Sequence, residues 1–504
     1  MATSDRSITR RGLIGGGSAA TVGLLLEHPD VSQAAKRRRP RPPRRRQADV
    51  LVVGAGAAGM AAAHAVAKAG RSVIVIEARE RVGGRVENHD LSGGEIVEVG
   101  GTFVGPTQDR MYALLREVGL GTWPTYDEGQ TNLLLEGKTT RVSNTDQSTY
   151  VGALGLVGGL EVLNVFPQID QMAREVPVGA PWTAGRAQEW DGKTVETFKN
   201  EHFQSAESRS LFDAFLRILH GAGPNEVSLL FLLSYVAAAG NETTPGTLNS
   251  LIGTTGGAQQ DRIVGGSQRL FVEIARSLGS RNVVLSSPAR RISQDGSHVT
   301  VTTDRASFVG KQVVVAVPPA LCQRIEYEPL LPAVRDQLTQ RFPMGSYAKV
   351  EVFYPQPFWR DEGLNGQVVG EGVIGCSWDS SPPDGRPGVM ACFIGGDRHR
   401  AWNRQNLPTR RKLIVDELVR YFGPRAAKPI DYFEKRWTGA EMWSRGGPTG
   451  FAAPGVLTGF GEQLQTPFGR IKWASTESSD YWIGYMEGAV RAGQRAARQV
   501  LADL

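Results

Sequence analysis

At 504 residues the chain is too long for one ordinary hydrophobic core, and 40% hydrophobic content with 61 glycines describes an α/β globular protein, not a disordered or fibrous one. The formal charge of +6 originates at the amino end, where residues 1–48 hold eleven basic residues against Asp5, Glu27 and Asp30, a net of +8 that leaves about −2 for the rest. A globally basic, nucleic-acid-binding body is thereby excluded, and three irregularly spaced cysteines with seven scattered histidines give neither a disulfide framework nor a metal-ligand pattern.

Thr9-Arg10-Arg11-Gly12-Leu13-Ile14 has the form of a twin-arginine export signal, followed by a modest apolar stretch to Leu26 and small residues at Ser32-Gln33-Ala34. The apolar stretch is short and broken by glycine, which argues against a transmembrane anchor. Residues 1–34 are read as a signal peptide that sends the protein to the periplasm, the cell wall or the medium. Within residues 35–48, Lys36 to Arg46 carries eight basic residues and three prolines, and is expected to be extended and solvated. It fits an anionic lipid or wall polymer as well as it fits a plain linker.

The rest of the chain is organised around the stretch Asp49 to Arg85. Asp49 to Val53 reads as a buried strand, and Gly54, Gly56 and Gly59 come next at the G-x-G-x-x-G spacing. A helix is predicted over Ala57–Ala69, ended by Gly70, and a second strand over Ser72–Ile76 delivers Glu77, 21 positions after Gly56. The glycines permit a tight turn, close approach of a pyrophosphate and close helix–strand packing. The free N–H groups of the helix start, at Ala57 and Ala58, suit the phosphates, and Glu77 can accept from ribose hydroxyls. This is a dinucleotide site.

Glu77, Ala78 and Arg79 lead into Arg81, Gly83, Gly84 and Arg85, a second glycine turn with arginines that a plain nicotinamide site does not require. The run resembles the extended fingerprint of the flavin amine oxidase family, whose cofactor is FAD. Val97 to Arg110, which includes Gly100, Gly101 and Thr102, closely resembles the monoamine oxidase branch. In the L-amino-acid oxidase branch an arginine two residues after Gly-Pro binds the substrate carboxylate; here that position is Gln108, which lowers the amino-acid reading.

From 122 to 261 helical periodicity dominates, as in Leu154–Arg174 and Ala206–His220. Ser228–Ala239 is apolar all round but only twelve residues, a buried helix and not a membrane span. Short strands return at Val283–Leu285, Val299–Thr303 and Gln312–Val317, and again at Ala348–Phe353 and Val389–Ile394. Ile471–Ala474 reads as a last strand, followed by a helix from near Tyr485 to Val500.

The resemblance covers about residues 49–504 and implies a Rossmann-like FAD-binding domain with an inserted α+β substrate domain. Residues 49–121, 262–340 and 441–504 would form the first, and 122–261, largely helical, with 341–440 the second. A lysine in a strand ordinarily points to solvent, but the segment around Lys349 resembles the one whose lysine holds a water against flavin N5. Tyr485 then aligns with one wall of an amine cage and Met486 with the flavin's pyrimidine edge, beside Thr476 and Glu477. Trp437 and Ala289 complete the residues that the resemblance assigns to FAD.

Where relatives carry a flavin-linking cysteine and a second cage tyrosine, this chain has Gly447 and Pro448, which implies non-covalent FAD and an incomplete cage. Ile252 is placed as a gate and Gln259 near the amine path. Cys376 stands where diamine-preferring relatives have an acid, which argues against diamines. The implied reaction oxidises a primary or secondary amine to an aldehyde with O2 reduced to H2O2. An exported amino-acid oxidase and a non-catalytic FAD-binding module are the alternatives. No metal and no nucleic acid are expected, and a homodimer is left open.

Overall fold

The computed structural model describes residues 44–504 except 92, 93, 145 and 147, so the export-signal reading of 1–34 lies outside the described residues. Around the glycine turn stands a five-stranded, all-parallel sheet in the order Val283–Val284, Val73–Ile76, Val50–Val53, Gln312–Val315, Ile471–Trp473. Its central strands are buried along their whole length and apolar except at Gln312, because both faces are covered. Val50, Val52, Val73, Val75 and Val314 meet the helices Ala57–Lys68 and Met486–Ala502 on one side. Leu51, Val53, Ile74, Ile76, Val313 and Val315 meet a second sheet on the other. The period of two thus sorts each strand between two cores.

That second sheet carries Ala289–Gln294, Val299–Thr303 and Ala306–Gly310, and its edge is Arg44–Gln47, paired parallel with Ala306–Gly310. The end of the basic segment is therefore a strand, not solvated linker. Backbone pairing needs no apolar side chain, and Arg45 and Gln47 remain partly or fully accessible at the edge.

A seven-stranded sheet forms the other half, in the order Asp431–Arg436, Tyr347–Tyr354, Gly388–Gly395, Cys376–Asp379, Leu364–Gly370, Gln130–Leu135, Lys138–Ser143. Helices 148–174 and 206–220 pack against it, helix 229–237 packs on helix 148–174, and the three carry the largest apolar cluster. The 122–261 stretch is therefore not simply helical. Gln130–Leu135 does not alternate, because Thr131 and Asn132 are buried along with the leucines, so period-two reading passes over it. Its signal was the turn: Glu136 and Gly137 both adopt positive φ, 47° and 72°, in a two-residue hairpin.

Helix Ser148–Arg174 starts earlier than its periodicity suggests and is broken at Gly155. By length and composition it could cross a membrane; Val165, Ile169 and Ala173 are buried in the helical core, whereas Leu156, Val157, Leu160 and Leu163 are exposed. Leu229–Ala237 is buried on every side, as its composition implies, and is capped by the Ser228 hydroxyl, which accepts from Phe231 N at 3.3 Å.

His220 closes helix Ala206–His220 with neither ring nitrogen hydrogen-bonded, edge-on to Tyr235 at 4.7 Å and near Phe231. Burial lowers its pKa to about 3. Below about pH 6.5 the unfolded chain takes up this proton while the folded chain does not, so stability falls as pH drops. At pH 5 the cost is about 2 kcal/mol. In His220→Leu, melting temperature should therefore decline less steeply between pH 7 and 5 than in the wild type; parallel profiles would exclude this contribution.

Candidate functional site

Two helix starts converge on one cavity of about 620 Å³. The strand Val50–Val53 runs into Gly54, whose φ of 101° suits glycine, and a Cβ there would lie 2.7 Å from Ala316 O. A Cβ on Gly59 would fall 1.9 Å from Gly54 O, so helix and turn are in backbone contact. Gly56 caps helix Ala57–Lys68 without any side-chain bond, which leaves the first N–H groups facing the cavity. Across from it Gly84, at φ 64°, brings the second glycine turn so close that a Cβ would sit 3.0 Å from Gly56 Cα. Only a ligand with acceptor atoms satisfies such a cradle, and a pyrophosphate does.

Glu77 lies at the end of its strand, buried, with Oε2 accepting from Ala55 N at 2.6 Å and Oε1 from Arg79 N at 2.8 Å. The turn itself thus orients the carboxylate and leaves acceptor capacity for a ribose. Arg79 is fixed by Ser444 at 2.7 Å and Glu441 at 3.2 Å. Arg85 donates to Pro448 O at 2.8 Å and to both oxygens of Glu477, at 2.7 and 3.2 Å. The second helix, Met486–Ala502, also starts without a side-chain cap; Tyr485 stands at its N-cap, and Thr476 donates to Tyr485 O at 2.9 Å. Two positive helix ends on one cavity fit a ligand negative in two places.

Every residue expected to hold the dinucleotide lines this cavity, from Ala78 and Gly100 to Ala289 and Trp437, except Gly59 and Glu477. Gly59 packs behind the turn. Glu477 is buried behind Arg85, where it also accepts from Gly450 N at 3.1 Å, and so positions that arginine instead of facing the ligand. Sequence alone could not separate the two roles, because the pairing joins positions 392 residues apart.

Lys349 reaches the cavity from the middle of the fully buried strand Tyr347–Tyr354. The ordinary expectation that a strand lysine points to solvent fails here, because both faces of this sheet are covered. Its ammonium donates to Thr102 Oγ1 at 2.7 Å and to Glu98 O, and Glu351 lies at 3.3 Å, two positions along on the same strand face. Glu98 in turn grips Arg262 with Oε2, at 2.6 and 3.1 Å, while Ser267 donates to Oε1. Burial pushes the Glu351 carboxyl up, and Lys349 and Arg262 pull against that shift.

The remaining wall is a chamber of aromatic and aliphatic groups. Tyr485 packs on Tyr235 at 6.1 Å and on Trp482 at 4.9 Å, while Phe393 packs on Trp378 and Tyr347. Tyr235 and Tyr347 were not expected here, and they supply aromatic surface that Pro448 does not. Burial raises the phenols of Tyr235, Tyr347 and Tyr485 and the thiol of Cys376, so all four stay protonated and none is a ready base. Gln259 donates to Leu251 O at 3.1 Å and keeps Oε1 without a partner. Ile252, 41% exposed, stands at the mouth with Asp127, Asn144 and Thr255. Gln108 is fully buried, with neither side-chain amide atom hydrogen-bonded, and is not part of the cavity wall. Among the described residues no group of three or more candidate metal ligands exists.

Residues 57–501 match the model of the flavin containing amine oxidoreductase family. The chain is 37% identical to amine oxidase [flavin-containing] B of Sus scrofa over 461 residues, 90% of this chain and 86% of that protein. Among solved structures it resembles cyclohexylamine oxidase from Brevibacterium oxydans, with TM-score 0.85 and 35% identity, covering 90% of this chain and 99% of the other. It also resembles a putrescine oxidase solved with putrescine, with TM-score 0.83 and 31% identity over 91% and 100% of the two chains.

The Arg85–Glu477 pair gives a test of the cradle. Glu477→Gln leaves the half-buried Arg85 guanidinium without its counter-charge, at a cost of about 1–2 kcal/mol. Flavin retention after gel filtration, and the dissociation constant on reconstitution, should weaken at least about tenfold. Wild-type affinity in that variant would exclude a positioning role for the pair.

Proposed function

This chain belongs to the family of flavin-containing amine oxidoreductases, and we propose from its cavity how its residues serve that activity. The protein is an FAD-dependent amine oxidase. It converts amine, O2 and water to aldehyde, ammonia and H2O2 for a primary amine. When bound, FAD would supply the two-electron chemistry that links the amine to O2. One observation carries the reading of the site: the glycine cradle and the aromatic chamber are one continuous cavity, with a buried lysine on its wall.

The first helix start and Gly84 would hold the pyrophosphate, Glu77 the ribose, and the Met486 helix start would favour negative charge on the ring system. With Gly447 and Pro448 on the cavity wall and Cys376 among the aromatic groups of the substrate sheet, the cofactor is held without a covalent link. Tyr235, Tyr347 and Tyr485 exclude water and orient the amine, and Gln259 Oε1 accepts one of its N–H groups. A chamber without a base near its inner end favours an amine that arrives neutral, since a dry aromatic wall does not stabilise ammonium without a partner. Of the arginines on the wall, Arg79 and Arg85 are paired with Glu441 and Glu477 and the exposed Arg324 donates to Met442 O, so no buried guanidinium is left for a substrate carboxylate. That favours simple amines over amino acids.

Lys349 supplies a fixed positive charge where oxygen takes up electrons, stabilising superoxide and peroxide as they form. In Lys349→Met, stopped-flow reoxidation should slow about a hundredfold, equivalent to about 3 kcal/mol, while reduction by amine changes far less. A purely structural lysine would instead reduce FAD loading and leave the two half-reactions in proportion.

Export by the twin-arginine route rests on Thr9 to Ile14 and places the enzyme outside the cytoplasm. Replacing Arg10 and Arg11 with lysine should strand active holoenzyme in the cytoplasm. Unchanged extracytoplasmic activity, measured by cell fractionation, would rule out this route.

A further inference from the structure

At the mouth, the cavity wall carries a carboxylate that no cation claims. Asp127 Oδ1 accepts from Gln367 Nε2 at 2.6 Å and from Asn144 Nδ2 at 2.8 Å, and Oδ2 accepts from Thr255 Oγ1 at 3.1 Å. All three donors are neutral, and each comes from a different part of the chain. Gln367 is itself oriented by Thr254 Oγ1 at 3.1 Å. Among the described residues no lysine, arginine or histidine lies within ion-pair distance of Asp127. The nearby Arg360 stacks on Tyr126 and is held by Asp379 at 2.7 Å. Asn144 and Thr255 are exposed, so this group sits at the solvent end, whereas Lys349 and Tyr485 mark the buried end.

A half-buried carboxylate braced by three dipoles is preorganised for a positive charge that arrives from outside. We infer that Asp127 is a cation subsite that selects amines bearing a second, protonated group at the end remote from the reacting nitrogen. The inference rests on the amine oxidase reading and adds the substrate class to it. The acid missing at Cys376 is replaced in function by one from a different segment, so Cys376 does not argue against diamines. A diamine then sits with one nitrogen neutral in the aromatic chamber and the other charged against Asp127. A simple alkylamine of equal length leaves a methyl group against the carboxylate and strips water from it without return.

The test compares hexamethylenediamine with hexylamine, and tetramethylenediamine with butylamine, on FAD-loaded holoenzyme. The wild type should favour one of the diamines over its matched monoamine by at least about tenfold in kcat/KM. Asp127→Asn should lower that ratio about ten- to a hundredfold, through KM and not through the limiting rate of flavin reduction, and Asp127→Glu should recover part of it. FAD content and melting temperature of each variant establish that it folds. Calorimetric binding of hexamethylenediamine under nitrogen gives a readout that does not need turnover. A preference for monoamines in the wild type, or a ratio and binding unchanged in Asp127→Asn, would overturn the subsite. Failure of every amine to reduce the flavin would instead count against the amine oxidase reading, with the binding measurement still deciding the role of Asp127.

Discussion

An ammonium held in a buried strand dictates much of this structure. Lys349 can stay inside the protein only because Thr102 Oγ1, Glu98 O and the Glu351 carboxylate surround it, and because Arg262 balances Glu98. With all four groups ionised their charges sum to zero, the condition under which buried ions are tolerated. The set also ties parts of the chain together. Glu98 comes from the cofactor-side segment, Lys349 and Glu351 from the seven-stranded sheet, and Arg262 from the connection between them, where it also donates to Ser380 O at 2.7 Å. Removing one member would leave an unpaired buried charge at the junction of the two halves.

With that cation fixed, the rest of the cavity wall divides by electrostatic character. Backbone N–H groups at two uncapped helix starts serve the dinucleotide end, where glycine is needed so that main chain can approach the ligand. Protonated phenols and an unionised thiol make the chamber dry and nearly charge-free. The next carboxylate on the path is Asp127, at the mouth. A neutral interior between a buried cation and a peripheral anion is suited to an amine that reacts uncharged.

How much of this was legible in the sequence depended on the range of the interaction. The glycine turn, its helix and Glu77 lie within one short unit and obey backbone sterics, so residue type and spacing were enough. The parallel strands were readable because burial on both faces makes them continuous apolar runs. Lys349, Trp437, Tyr485 and Cys376 were placed by resemblance, and the structure brings all four to the cavity. Glu477 was read as a ligand contact because sequence cannot reveal that Arg85 stands in front of it. Strand Gln130–Leu135 escaped because its buried Thr131 and Asn132 erase alternation. Asp127 escaped because the mouth is assembled from four segments, none of which carries a motif.

One cavity brings amine and flavin together for electron transfer, and on that everything else about the site depends. Anaerobic titration of the purified holoenzyme with a primary aryl-alkyl amine or a diamine tests it most directly. The oxidised flavin absorbance should bleach in proportion to the amine converted, with one aldehyde per flavin. Admitting oxygen should restore the colour and yield one H2O2. A fully FAD-loaded protein whose flavin stays oxidised with every amine would contradict it.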